Sequence, residues 1–439
     1  MSSVEIPAGI VNNTPPAARE RQLQRLITAY IIAGLLFLLL PGTFLGVWNL
    51  LSISAQHTVE TLSPAWLQAH GHAQIFGWLG TFILGIGFYS LSKMGKLPSF
   101  AVSRGWTAFS LWTGGVLLRW MANITAWGWR ELLPLSAVCE LAGFLLFFFT
   151  VAKHRPAGPS APSRNRDAWM IIVIGSTIAF LLTLLVNLGA TIYVSYSADS
   201  PALPFLFDQR LLALPTWGFL VPTVWGFNAR WLPVFLGLRP PRPKLLYAAL
   251  LTSWTGVALM LPGFAFLSGM CLVAASLLAI DALGIFEKPL QAAKLNGVHE
   301  SFPIFIRIAY VWLLVAAVLS VVAALADHAG GIWGSSRHAL TVGFLATMVF
   351  SIGPKILPAF CGARVLYSPK LMFLSLLLLN GGCLLRVCSE INAYEGYASH
   401  AWAVLPVSAV TELAAVTLFA VNLGQTFLRP PAHLIRTAA

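Results

Sequence analysis

Apolar residues come in long runs along this chain, and the polar ones collect between them. The runs cover approximately 26–50, 68–92, 104–125, 133–153, 168–194, 211–236, 245–262, 264–286, 303–326, 336–358, 370–389 and 400–428. Each is long enough for a helix rising ~1.5 Å per residue to cross the ~30 Å hydrocarbon core of a bilayer. None shows the two-residue alternation of a barrel strand, and only helices and closed barrels satisfy their backbone in lipid. The pattern predicts an all-α polytopic membrane bundle of about twelve transmembrane helices. Pro262 and Gly263 make the link between the seventh and eighth runs a tight hairpin. Residues 1–25 are expected to be an N-terminal tail, and 26–429 a single transmembrane domain.

Composition agrees with this reading. The 439 residues are 58% hydrophobic and 10% charged, and mean hydropathy is +0.78. Soluble domains do not have this composition. The first run is too long for a signal-peptide core and lacks a small-residue cleavage site, so it reads as a retained helix. Cys139, Cys271, Cys361, Cys383 and Cys388 lie scattered in apolar segments, without CxxC or disulfide spacing.

The net charge of +12 is placed in a way that orients the chain. Lysine and arginine crowd into the termini and alternate loops, from Arg19, Arg21, Arg25, Lys93, Lys96 and Arg104 to Arg429 and Arg436. The opposite loops hold Arg130, Arg210 and Arg337 among acids such as Glu60, Asp199 and Glu395. That asymmetry predicts cytoplasmic termini; the expected location is a bacterial-type inner (plasma) membrane, crossed many times. The charge therefore reflects the lipid bilayer, and no nucleic-acid partner is expected. The stretch RPAGPSAPSRNR (155–166) is the most linker-like segment.

Internal repeats change the picture most. HAQIFGWLGTFILGIG (72–87) aligns without gaps on HALTVGFLATMVFSIG (338–353). In the following helices GGVLLR (114–119) recurs as GGCLLR (381–386), and LPLSAVCELA (133–142) as LPVSAVTELA (405–414). A weaker third copy joins ARWLPVFLGLR (229–239) to PKILPAFCGAR (354–364). The chain then reads as three pseudo-repeated four-helix units, about 26–153, 168–286 and 303–428. In the middle unit Ala213 stands opposite His338, and Met260 or its neighbour opposite Arg386.

Helix direction and rise put His72, His338, Arg119, Arg386, Glu140 and Glu412 in one slab, within ~15 Å of the outer surface. Ionisable residues at such depth face the bundle interior or water and are functional candidates. Arg119–Glu140 and Arg386–Glu412 have a plain reading as structural ion pairs between adjacent antiparallel helices. Two histidines at equivalent positions of duplicated helices also make a ready axial pair for a heme iron. In that case Arg119 and Arg386 would bind the anionic propionates. The Gly-Gly steps at 114–115 and 381–382 admit either a flat macrocycle or close helix packing.

This arrangement resembles the core subunit of heme-copper oxidases and nitric-oxide reductases, twelve helices in three units of four. Locally, HGHAQIFG (70–77), IRIAYVWLL (306–314) and HALTVG (338–343) resemble the NnrS family, heme- and copper-containing membrane proteins tied to nitric-oxide and nitrosative stress. In the oxidases one histidine from each of the second and tenth helices holds the low-spin heme, which implies His72 and His338 as metal ligands here. The resemblance implies heme b and possible copper as cofactors, with nitric oxide or quinol as a small-molecule partner. Segments 6 and 7 contain no histidine, and Ser336 stands two residues before His338. The binuclear centre of an oxidase cannot be built in the usual way from these residues.

His70 and His72 lie two apart on a helix and point ~200° apart, so they cannot bind one iron from the same face. His72 has the repeat partner. His70 aligns with Ser336 and is a candidate for a second metal site with His57, His328 or His400, or for a capping role. His154, His299 and His433 fall on the cytoplasmic side. The expected function is heme binding of NnrS type; any enzymatic activity would be that of a heme-dependent oxidoreductase. The alternatives are a degenerate oxidase-like quinol or electron-transfer cytochrome b, and a small-molecule or metal transporter. Three parallel four-helix units fit a transporter poorly, though Pro215, Pro222 and Pro233 in the sixth helix keep that option open.

Overall fold

The computed structural model describes residues 16–94, 102–152, 167–363 and 365–429. The linker 155–166, Lys96, His154, His433 and Arg436 lie outside them. The described residues form twelve helices and no strand. They are α1 (16–56), α2 (64–94), α3 (Val102–Thr125), α4 (Trp129–Ala152), α5 (Ala168–Ser197), α6 (205–236, with a turn at Leu212), α7 (Pro243–Met260), α8 (Ala265–Leu283), α9 (Phe302–Ala326), α10 (Gly331–Phe360), α11 (Pro369–Tyr394) and α12 (Ala401–Leu428). Every apolar run coincides with one of them. Nine meet the length and hydropathy needed to cross a membrane, with α3, α6 and α7 outside that set. Several helices outlast their apolar run, and α1 begins at Pro16, ahead of the run that starts at 26. The hydrophobic pattern marks where lipid ends, whereas backbone hydrogen bonding carries the helix on into polar surroundings.

Burial sorts the helices into centre and periphery. In α2 and α10 the most apolar window is 78% buried, against 33% to 50% in the other seven spans. In α6 every residue of Leu214–Leu220 is buried. These three helices form the centre. The others pack against their neighbours in sequence around them, and α12 closes the ring on α1. That seam is made of small and branched residues, Val47 and Leu50 against Ala401, Leu405 and Ala409. Around α6 the centre is filled by aromatic side chains. Phe180 stacks on Phe219 at 3.9 Å, and Trp225 and Tyr310 have no solvent exposure.

All three central helices contain a π-helical stretch, Ala73–Gly80 in α2, Leu214–Leu220 in α6 and Ala339–Ala346 in α10. The stretches begin immediately after His72, Ala213 and His338. A π-stretch widens the helix and leaves carbonyls short of an i→i+4 donor. Neighbours supply donors in α6: Ser253 Oγ donates to Trp217 O at 2.8 Å and Trp254 Nε1 to Gly218 O at 3.2 Å. A fourth stretch, Leu38–Phe44 in α1, has an evident cause in Pro41, which lacks an N–H and crowds the preceding turn. The helix bulges there and continues.

The paired glycines have a packing role. A Cβ on Gly115 would lie 2.8 Å from Glu140 Cγ and from Ser136 O, and one on Gly382 would lie 2.7 Å from Glu412 Cγ. Gly114 and Gly381, by contrast, face open space. The second glycine of each pair thus lets α3 approach α4, and α11 approach α12, closely enough to seat a glutamate between them. We predict that Gly115→Ala and Gly382→Ala each cost ~1–3 kcal/mol by overpacking, read as a lower unfolding midpoint in detergent. Gly114→Ala and Gly381→Ala should leave the midpoint unchanged or slightly raised.

At the end of the bundle that carries the termini, a charged clip fixes the 284–301 loop. Arg239 Nε donates to Glu287 Oε2 at 2.6 Å and Nη2 to Glu287 Oε1 at 2.8 Å. Arg242 pairs with Asp281 at 2.5 Å. The hydrogen bonds from Arg239 hold the Glu287 carboxyl below the ordinary glutamate range. A lowered carboxyl pKa contributes stability above its unfolded value that is lost as pH falls through the folded one. Glu287→Gln should therefore lower thermal stability at neutral pH, with the difference from wild type vanishing at pH values below the ordinary glutamate range.

Candidate functional site: a buried charged layer

One layer near the far end of the bundle, away from the described termini, gathers most of the intramembrane polar groups. His70 and His72 lie in the early turns of α2, and Arg337 and His338 in those of α10. Arg119 lies near the end of α3, and Arg386 and Glu390 near the end of α11. Arg119, Glu140, Arg386 and Glu390 are 4%, 0%, 8% and 3% exposed. Ionised groups buried this deeply are tolerated only when paired or hydrogen-bonded. Their partners therefore indicate how the layer is organised.

The first cluster lies between α2, α3, α4 and α5. His72 Nε2 is 2.7 Å from Glu140 Oε1, and the imidazole stacks on Phe76 with centroids 4.4 Å apart. Asn187 Nδ2 donates to Glu140 Oε2 at 3.4 Å. Arg119 is within electrostatic range of Glu140 and Asp208, yet its Nε and Nη1 find no hydrogen-bond acceptor. The expected Arg119–Glu140 ion pair is therefore replaced by a histidine–carboxylate contact. The carboxylate is close to the imidazole and meets the guanidinium only through space.

The second cluster lies between α1, α2, α10, α11 and α12. His338 Nδ1 donates to Gly334 O at 2.9 Å and lies 3.1 Å from Glu390 Oε2. Arg386 Nε is 3.2 Å from the same oxygen, and its Nη2 donates to Glu390 Oε1 at 3.4 Å. Arg386 thus pairs with Glu390 one turn along its own helix, and not with Glu412 as the repeat suggested. Glu412 stays within electrostatic range of His338 and Arg386, but its Oε1 has no partner. His70 belongs to this cluster as well. Its Nδ1 donates to Gly42 O at 2.9 Å, in the π-stretch of α1. The ring lies against Gly46, where a Cβ would come within 2.6 Å of His70 Cε1. His338 and Arg386 lie within electrostatic range of it.

The two histidines of QAHGHAQ therefore face different helix groups, as their angular separation requires. His72 looks toward α4 and α5, whereas His70 shares its environment with His338. The His338 side chain keeps 26% exposure despite its depth. Toward the other end of the bundle, Trp78 of α2 meets Phe350 of α10 edge-on at 6.2 Å, and Phe350 stacks on Phe419 at 3.8 Å. These aromatics join α2, α10 and α12 on that side of the layer.

The start of α6 bridges the clusters. Arg337 Nη1 donates to Gln209 Oε1. Asp208 is within electrostatic range of both Arg119 and Arg337. Gln209, Asp208, Asn187 and Glu390 were not among the residues the sequence singled out. Glu390 had a visible signal, a carboxylate four residues after Arg386 in an otherwise apolar helix. The second metal site considered for His70 is not assembled: His57 stacks on Trp402 at 5.2 Å, and among the described residues no three metal-ligating side chains converge. Near Ala213 the middle unit presents Trp217, Phe219 and Trp225, packed and buried.

Comparisons place the fold. The chain is similar to a heme-copper terminal oxidase whose dimer was solved by cryo-EM, with a TM-score of 0.66 and 12% identity over 93% of this chain and 85% of that one. At that identity the likeness is one of fold. Residues 215–423 match the model of a domain of unknown function, DUF8744. No curated protein matches the sequence.

The charge pairing in the second cluster gives a stability test. Glu390→Ala leaves the buried Arg386 guanidinium without its carboxylate, a loss of ~3–5 kcal/mol for a broken buried pair. Glu412→Gln removes a carboxylate whose Oε1 already lacks a partner and should be near neutral. Unfolding of the two variants in detergent, followed by tryptophan fluorescence, checks this order.

Proposed function

We propose that the chain is a heme b-binding integral membrane protein whose site lies between α2 and α10, in the outer half of the bilayer. His70 and His338 would hold its iron. The observation that carries this is the state of the two imidazoles. In each, Nδ1 is hydrogen-bonded to a backbone carbonyl, at Gly42 and Gly334, which fixes the ring and leaves Nε2 as the available ligand atom. His72 fits the role less well, because its Nε2 is held by Glu140. The donor set also suits an acidic cofactor: Arg386 Nη1, and Arg119 Nε and Nη1, have no hydrogen-bond partner. A heme bound there would supply a one-electron iron couple. The protein's own part is to hold both rings in place, keep Glu390 beside His338, and exclude water with Trp78, Phe350 and Phe419.

The role we assign is electron transfer or nitric-oxide response, without an oxidase-type binuclear centre. The likeness to a heme-copper oxidase fold supports the heme reading. The NnrS-like segments at 70–77, 306–314 and 338–343 support the nitrosative-stress context. The aromatic filling of the middle unit favours a single-heme protein over a degenerate reductase.

The test is an optical spectrum of purified protein. Reduced b-type bands are expected in wild type and in His72→Ala, and are expected to be lost in His70→Ala and His338→Ala. Loss in His72→Ala with retention in His70→Ala would move the ligand to His72. A colourless wild-type preparation from heme-replete cells would end the heme reading. Nitric oxide added to the reduced protein should alter the bands if the stress role holds, and leave them unchanged if the protein only carries electrons.

A further inference from the structure

We infer that Arg337 is a positioning residue of the proposed heme site, one that sets its reduction potential and is itself held by the first turn of α6. The inference rests on the heme reading above. Arg337 immediately precedes His338, and its guanidinium donates to Gln209 Oε1. Glu390, Asp208 and Asp327 are the acids within its electrostatic range, and Arg386 is the like charge. Glu390 is the shared element, because the same carboxylate lies 3.1 Å from His338 Nδ1.

A carboxylate beside the distal nitrogen of a ligand imidazole makes that ligand more basic and favours the oxidised metal. A guanidinium acting on that carboxylate opposes the effect. It also adds a fixed positive charge in a layer where charges are weakly screened. Both contributions favour the reduced state, which carries one positive charge fewer. Asp208 acts in the opposite sense, since it offsets Arg337 from the far side and reaches Arg119 as well. The first turn of α6 is thereby the place where the two buried clusters share charge. The feature is specific to the third repeat unit, because Gly71 and Leu212 occupy the aligned positions in α2 and α6.

Equilibrium redox titrations of the purified holoprotein test this, with the reduced-minus-oxidised spectrum as readout. Arg337→Gln should keep the band positions of wild type and lower the midpoint. The ratio of reduced to oxidised heme at the wild-type midpoint would then fall roughly tenfold, as expected for one nearby charge. Arg337→Lys, which keeps the charge, should stay near wild type. Asp208→Asn should raise the midpoint, and it decides the sign should Arg337→Gln fail to assemble. The inference is overturned by an intact spectrum in Arg337→Gln with an unchanged or raised midpoint, or by an unchanged or lowered midpoint in Asp208→Asn. Those results would leave the heme reading standing; a wild-type protein without heme would remove both.

Discussion

Burial of charge at the far end of a lipid-facing bundle is the constraint on which the rest of this structure depends. Two guanidiniums and two carboxylates lie almost wholly out of solvent in one layer, and each must be offset within a few ångströms or carry a large desolvation cost. The close contacts of α3 with α4 and of α11 with α12, the glycines that permit them, and the charged start of α6 can all be understood as responses to that demand. So can the division into two clusters. Each histidine-bearing face has a carboxylate of its own, Glu140 for His72 and Glu390 for His338.

The central helices meet this demand with a shared device. α2, α6 and α10 each widen into a π-stretch at aligned positions. The widening shifts the phase of the helix, so residues before and after it present to different neighbours than an uninterrupted α-helix would allow. In α2 and α10 the histidines stand just before the shift. In α6 the aligned position is Ala213, and tryptophan and phenylalanine fill the interior. The layer therefore has polar chemistry on two sides and packed aromatic residues on the third.

Much of this was legible in the sequence, for physical reasons that also mark where legibility stopped. The twelve helices of the described residues were legible as apolar runs, and nine of them are long and apolar enough to cross a membrane. Gly115 and Gly382 stood out because GGVLLR (114–119) and GGCLLR (381–386) match. The separate partners of His70 and His72, Gly42 and Glu140, were not accessible. Alignment ties His72 to His338 by position in the unit, whereas contact depends on which group of helices each ring enters. Arg386 was expected to reach Glu412 on the next helix, but Glu390, one turn away on its own helix, is nearer. The π-stretches of α1 and α6 carry a proline each, Pro41 and Pro215, whereas those of α2 and α10 have none.

A cryo-EM map of the purified protein from heme-replete cells tests the central claim most directly. The account predicts one heme between α2 and α10, with Nε2 of His70 and Nε2 of His338 on opposite faces of its iron and His72 still against Glu140. A map in which His72 holds the iron, or in which aromatic side chains fill the space between His70 and His338, would contradict it.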